Sequence, residues 1–222
     1  MVAVTHTGDN YLDQSGFARP ENRSRHIKAA IDYVLTSWAS HDVIDPNRIG
    51  IFGFSAGGFA ALVAIGATPD MSRVESYCLR HPEEWACQKA KEHPRDASNG
   101  PISFVHDRRI KVAVIAAPAV AYAFSAESLA PVTIAIQLWR GDRDEILLHP
   151  RYAQNVYDNL PIKPEYHVVP NAGHFAFLAP CPPALESAVP MICRDAEGFD
   201  RASFHADFNA SVVAFFRAKF PE

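Results

Sequence analysis

The order of apolar patterns along this chain predicts an α/β fold with a mostly parallel sheet flanked by helices. Three observations carry that prediction. Short, β-branched apolar runs recur at 48–53, 110–116, 132–139 and 166–169. Segments with helical spacing lie between them. A tight glycine-bounded turn, Gly53-Phe54-Ser55-Ala56-Gly57, stands where the first of these runs meets a helix.

The elements follow in order. Val2 to Thr5 is a short apolar run that reads as a strand, and His6-Thr7-Gly8-Asp9-Asn10 is a turn-rich loop. From Ser24 the spacing becomes helical, with Ile27, Ile31, Val34, Leu35 and Trp38 three or four residues apart, until Asp45-Pro46-Asn47 breaks it. Arg48 to Gly53 reads as a buried strand and Phe59 to Ile65 as the next helix. Gly57 and Gly58 at its start are expected where the backbone approaches another element closely. Residues 67–109 lose periodicity, turn polar and contain Pro69, Pro82, Pro94 and Asn99-Gly100-Pro101. Connections in α/β units usually span about 2–6 residues, and longer ones often serve as lids or binding loops. This stretch is therefore expected as a lid-like excursion over the active face, with Trp85 as its apolar contact. Three more strands follow, with helical material at Arg151 to Asn159. The last helix carries Phe204, Phe208, Val212, Phe215 and Phe216 on one face, an aromatic stripe that reads as core packing.

Composition bounds the function. The 222 residues hold 21 Lys and Arg against 25 Asp and Glu, a formal net charge of −4, with 48% hydrophobic residues. Such proportions exclude a disordered chain, a coiled coil and a collagen-like fibre. Without a basic stripe to track phosphates, no nucleic-acid partner is expected. No run of about 18 apolar residues is present, so neither a transmembrane helix nor a membrane partner is expected. The length suits one domain over 1–222. Met1 runs directly into Val2-Ala3-Val4-Thr5, with no basic n-region or cleavage site, so no export signal is read here.

The four cysteines fall in two local pairs, and Cys78–Cys87 with Cys181–Cys193 is the local connectivity of three. Two loop disulfides would place the chain in an oxidising compartment, periplasmic or secreted. Reduced thiols in a cytosolic protein are the alternative. Their spacings do not suit zinc.

Gly53-Phe54-Ser55-Ala56-Gly57 is a G-x-S-x-G motif between strand and helix, the setting in which it forms a nucleophile elbow. The turn lifts the Ser55 hydroxyl clear of the sheet, and the Ala56 N–H points where an oxyanion would form, with the partial positive charge of the helix N-terminus behind it. A serine hydroxyl needs a base, and His174, in Pro170-Asn171-Ala172-Gly173-His174-Phe175, follows the last predicted strand at the same rim of the sheet. The base needs a carboxylate partner. Gly141-Asp142-Arg143-Asp144-Glu145 follows the strand ending at Trp139, and Asp144 is favoured because the loop has by then turned toward the histidine. Asp142 is the main rival and Glu145 the third choice. Phe54, His6 and Phe175 are the candidate substrate-binding residues, with a backbone-bonded turn histidine the alternative for His6. Arg140 and Arg143 could meet an anionic substrate or simply be solvated. No metal set, P-loop or dinucleotide fingerprint is read, and acyl transfer through side chains and backbone donors needs no cofactor.

Ser55, Asp144 and His174 occur in the chain order of the α/β-hydrolase triad. Together with His6-Thr7-Gly8-Asp9-Asn10, Arg48-Ile49-Gly50, Asp144-Glu145-Ile146-Leu147 and Gly173-His174-Phe175-Ala176-Phe177-Leu178, the sequence resembles the α/β-hydrolase superfamily. Within it, the chain resembles the dienelactone-hydrolase-like group of serine esterases. The resemblance implies hydrolysis of a small-molecule carboxylic ester through an acyl-enzyme. Dienelactone hydrolases proper carry cysteine at the elbow, where this chain has Ser55. The fold usually has several strands before the one ending at His6, and a loop among them supplies a second oxyanion donor. The chain thus reads as N-terminally shortened, lacking the usual first strands, or as having moved that donor. The Val2–Thr5 strand is expected either to pair beside Ile49–Phe52 or to leave an edge covered by a second copy in a homo-oligomer. A serine peptidase or acylaminoacyl hydrolase on the same fold is the enzymatic rival. A catalytically weak binding protein is the rival of another class.

Overall fold

The computed structural model describes residues 1–10, 12–96, 98 and 100–220; Asn99 of the expected Asn-Gly-Pro turn lies outside them. Four strands, β1 (Ile49–Phe54), β2 (Ile110–Ala116), β3 (Ala135–Gly141) and β4 (Glu165–Val169), form one sheet in the order β1-β2-β3-β4. Every neighbouring pair is parallel. The helices are α1 (Glu21–Thr36), α2 (Ala56–Ala64), α3 (Met71–Arg80), α4 (Trp85–Glu92), α5 (Ala126–Leu129), α6 (Ala153–Asn159), α7 (Pro183–Ala188), α8 (Pro190–Cys193) and α9 (Arg201–Lys219). The α/β architecture expected from the sequence is the one observed.

Packing explains where the boundaries moved. Pro20, at φ −60°, opens α1 ahead of the apolar pattern, and Trp38 lies beyond the end of the helix. Val132 donates its N–H to Leu129 O and so belongs to the turn before β3 rather than to the strand. In β2, Val112 to Ala116 are fully buried, as a parallel strand covered on both faces must be. α9 crosses one face of the sheet. Phe208 meets Phe52 of β1 and Trp139 of β3 with ring centroids at 6.0 and 4.9 Å, and Gln137 Nε2 donates to Ser211 Oγ at 3.0 Å. α2 follows β1 so closely that a Cβ on Gly53 would sit 2.2 Å from Gly57 O, which only glycine permits. Gly58 approaches Pro118 as expected, whereas the Cβ position of Gly57 faces open space.

Two expectations are corrected. Residues 1–6 form no strand. An apolar, β-branched run needs a partner to become a strand, and propensity alone does not supply one. Nothing pairs with the outer edge of β1 among the described residues, and Phe52 on that strand is 47% exposed. The stretch 67–109 is not irregular throughout, because it contains α3 and α4. Asp70 caps α3 by accepting the Ser72 N–H at 2.9 Å. Trp85 is 47% exposed and is not the apolar contact; Tyr77 and Cys87 are buried instead. The Tyr77 ring stacks on Tyr122 at 3.6 Å. Buried Glu84 accepts from the hydroxyls of Tyr77 and Tyr152 and pairs with Arg151 at 3.0 Å.

Both local disulfides, Cys78–Cys87 and Cys181–Cys193, are present. The first joins α3 to α4, and the second closes the loop that carries α7 and α8. Non-reducing peptide mapping of the purified protein is expected to recover both pairs. Phe208→Ala should destabilise the fold by about 3–5 kcal/mol, read from denaturant unfolding, because its ring fills the space between α9 and three other aromatic side chains, Phe52, Trp139 and Phe177.

Candidate active site

The turn from β1 to α2 forces Ser55 to φ 53°, ψ −118°, a region costing a non-glycine residue about 1–3 kcal/mol. Its backbone groups are tied down on both sides. The Ser55 N–H donates to Ala116 O at 3.0 Å, while Ser55 O accepts from Ala119 and Phe59 N–H at 3.0 and 3.1 Å. Ala56 is the first residue of α2, so its N–H has no acceptor within the helix. That places a free donor and the positive end of the helix beside the Ser55 hydroxyl.

β3 and β4 bring the other two side chains to the same rim. His174 opens a 3-10 turn, His174–Phe177, just beyond β4. Its Nδ1–H donates to Asp144 Oδ2 at 2.9 Å, and its Nε2 accepts from Ser55 Oγ at 3.0 Å. Asp144 and His174 are both buried. The desolvated Asp144 carboxylate is compensated by Ile146 and Leu147 N–H, which donate to its Oδ1 at 3.0 and 2.7 Å. Because that carboxylate can only accept, it holds the imidazole with its proton on Nδ1 and its lone pair toward Ser55. The arrangement can take the serine proton during attack on a carbonyl and return it to a leaving group.

The structure thus brings Ser55, Asp144 and His174 together. Asp142, the rival carboxylate, is exposed, and its N–H donates to Val169 O at 3.1 Å. Glu145 also reaches His174, but through the main chain: the His174 N–H donates to Glu145 Oε2 at 3.1 Å. Phe54 packs its ring on the imidazole at 4.9 Å and on Phe177 at 6.0 Å. Phe175 sits edge-on to the imidazole at 5.1 Å. The ring of His6 stacks on His26 at 5.4 Å, with their Nδ1 atoms 3.2 Å apart. Arg140 is taken up by the Tyr166 hydroxyl at 2.9 Å. Arg143 lines a cavity of about 230 Å³ with Glu145, Gly173, Phe175, Arg194 and Asp195. A second cavity, of about 290 Å³, runs along α3 between Ser72, Arg73, Arg80 and Tyr122.

Two features escaped the sequence reading. The main-chain bond of Glu145 depends on how its loop turns, which no local pattern encodes. The Glu84 cluster joins residues 68 apart in the chain. His81 and Glu83 lie close to Glu84 and could present metal-ligand atoms within 4.8 Å of one another. The oxygens of Glu84, however, are already engaged by two hydroxyls and a guanidinium, as expected of an ion-pair network.

Among known families, the Prolyl oligopeptidase family matches residues 5–74, about a third of the chain. The match includes the Gly53–Gly57 turn and ends before Asp144 and His174. It fits the α/β-hydrolase superfamily and supports a serine hydrolase. No curated protein matches the chain.

Burial, with Arg23 and His26 alongside, pushes the His6 imidazole down from 6.5 to about 4, only partly opposed by Asp9. The unfolded chain then binds more protons than the folded one between these values, so His6 contributes stability above pH 6.5 that is lost as pH falls toward 4. Thermal unfolding followed by circular dichroism should show a midpoint that falls across this window, and His6→Gln should flatten the fall.

Proposed function

We propose that this chain is a serine hydrolase that cleaves small carboxylic esters through an acyl-enzyme. One observation carries the reading: a single buried imidazole bonded to the Ser55 hydroxyl on one side and to the Asp144 carboxylate on the other. Ser55 Oγ attacks the ester carbonyl carbon as its proton passes to His174 Nε2. Asp144 stabilises the imidazolium, and the Ala56 N–H meets the oxyanion. His174 returns the proton to the leaving alcohol, and water then releases the acid by the same steps. Phe54 and Phe175, packed about the imidazole, are proposed to border the acyl group. The motifs from Gly53 to Gly58 and from Gly173 to Leu178 support placing the chain in the dienelactone-hydrolase-like group. The disulfides support an oxidising compartment.

A second reading, a serine peptidase or acylaminoacyl hydrolase, is favoured by the Prolyl oligopeptidase match. It differs in the leaving group, an amine that must be protonated as it departs. Paired ester and amide substrates with the same acyl group separate the two. A higher kcat/KM on the ester is expected, and the reverse order would establish the peptidase.

Ser55→Ala should lower turnover of a short p-nitrophenyl ester by roughly 10⁴–10⁶-fold with little change in melting temperature. A fluorophosphonate should label the wild-type serine. Hydrolysis that survives Ser55→Ala, or a wild-type protein that takes no label, would count decisively against the catalytic reading, the latter in favour of a binding protein.

A further inference from the structure

Resting on the roles proposed above for Ser55, Asp144 and His174, we infer that Glu145 is a positioning residue for His174. Its carboxylate fixes the main chain of the base loop at the place from which the imidazole reaches both partners.

Among the described residues, four hydrogen bonds join the loop after β3 to the end of β4 and the loop beyond it. The N–H groups of Asp142 and Arg143 donate to Val169 O and Ala172 O, each at 3.1 Å. The His174 N–H donates to Glu145 Oε2 at 3.1 Å, and its ring N–H to Asp144 Oδ2 at 2.9 Å. The first two hold the loops below the histidine, and of these four bonds the Glu145 one is the bond made to the histidine's own N–H. Asp144 does not depend on it, because its Oδ1 is bonded within its own loop by Ile146 and Leu147. His174 does. It is the first residue of a 3-10 turn, so its N–H has no acceptor inside that turn.

Gly173 lies against the same carboxylate oxygen. A Cβ at that position would have its three nearest atoms all in Glu145, with Oε2 at 2.9 Å. Its backbone, φ −79° and ψ −179°, is open to any residue. Because Oε2 is the far end of a flexible side chain, an alanine at 173 would push the Glu145 carboxylate off the His174 N–H rather than strain its own backbone. Both imidazole bonds are of ordinary length, 2.9 and 3.0 Å, so a loop shift approaching 1 Å would break one of them, and misplacement on that scale costs up to about 100-fold in rate.

Four variants of the full chain test this: Glu145→Ala, Glu145→Gln, Gly173→Ala and the Glu145→Ala/Gly173→Ala pair. The first readout is the low-field NMR resonance of the His174 Nδ1 proton in the unliganded protein. The second is kcat and KM on a p-nitrophenyl ester. Glu145→Ala and Gly173→Ala should each shift or broaden the resonance and lower kcat roughly tenfold, with KM within about twofold. Glu145→Gln, whose amide oxygen can accept the same bond, should keep both. Gly173→Ala should add nothing once Glu145 is alanine. An unchanged resonance and kcat in Glu145→Ala would overturn the inference. So would a full further loss from Gly173→Ala in the alanine background, or a glutamine variant that behaves like alanine. Ester turnover that ignores Ser55 would remove the catalytic reading while leaving the resonance test of Glu145 decisive.

Discussion

The imidazole of His174 lies between an oxygen that donates to it and an oxygen that accepts from it, at 3.0 and 2.9 Å. Each of its three members comes from the carboxyl end of a different strand: Ser55 after β1, Asp144 after β3 and His174 after β4. Only a parallel sheet delivers three such ends to one rim, since antiparallel neighbours would send alternate side chains to opposite ends. β2, between them, offers no member of the group. It supplies Ala116 O and, in the loop beyond, Ala119 N–H, the two groups that bond the Ser55 backbone. The apolar interior of β2 and the crossing of α9 therefore matter to the site because they keep these ends level.

The hairpin of α3 and α4 is secured by different physics. Beside the buried Tyr77 and Cys87, it is held by a buried carboxylate, Glu84, shared by Tyr77, Tyr152 and Arg151. The Cys78–Cys87 bridge and the bond from Arg73 Nε to Tyr122 O at 3.0 Å act with it. Within the Glu84–Arg151 pair Glu84 is buried while Arg151 is partly exposed, so the two tyrosine hydroxyls are the inner partners of the carboxylate. Burial and the neighbouring Glu84 carboxylate together hold the phenols of Tyr77 and Tyr152 well above their ordinary range, which keeps both hydroxyls as donors to Glu84.

These two kinds of support account for what could be read from the residues alone. The Ser55 turn was legible because its requirement is local: strand, small residues, helix. His174 was legible from its position after a strand, and the aromatic stripe of α9 from its spacing. The choice among Asp142, Asp144 and Glu145 was not determined by spacing, because three carboxylates within four residues differ only in how one loop turns. Asp144 is the one whose oxygen meets the N–H groups two and three residues ahead, which folds it inward. The same turn leaves Asp142 exposed and sends Glu145 to the histidine's main chain. α3 and α4 were hidden because their partners, Tyr122, Arg151 and Tyr152, lie far along the chain. Val2 to Thr5 misled for the opposite reason: the local pattern was right for a strand, but strand formation also requires a neighbour.

Backbone strain gathers at the same rim of the sheet as the chemistry. Among the described residues, the non-glycine positions with positive φ are Ser55, Ala117, Val120 and Asn171. All four follow β1, β2 or β4 at the carboxyl ends of the strands. Each is a conformation that an unconstrained L-residue would leave, so the surrounding contacts must specify it. At Ser55 those contacts are three backbone hydrogen bonds and the absent side chain of Gly53; the Ala117 N–H is held by Trp139 O at 2.8 Å. A loop free to relax would leave this conformation, and with it the position from which Ser55 Oγ reaches the imidazole. The tightly packed sheet prevents that relaxation, and this connects the burial of β2 to the 3.0 Å contact between Ser55 and His174.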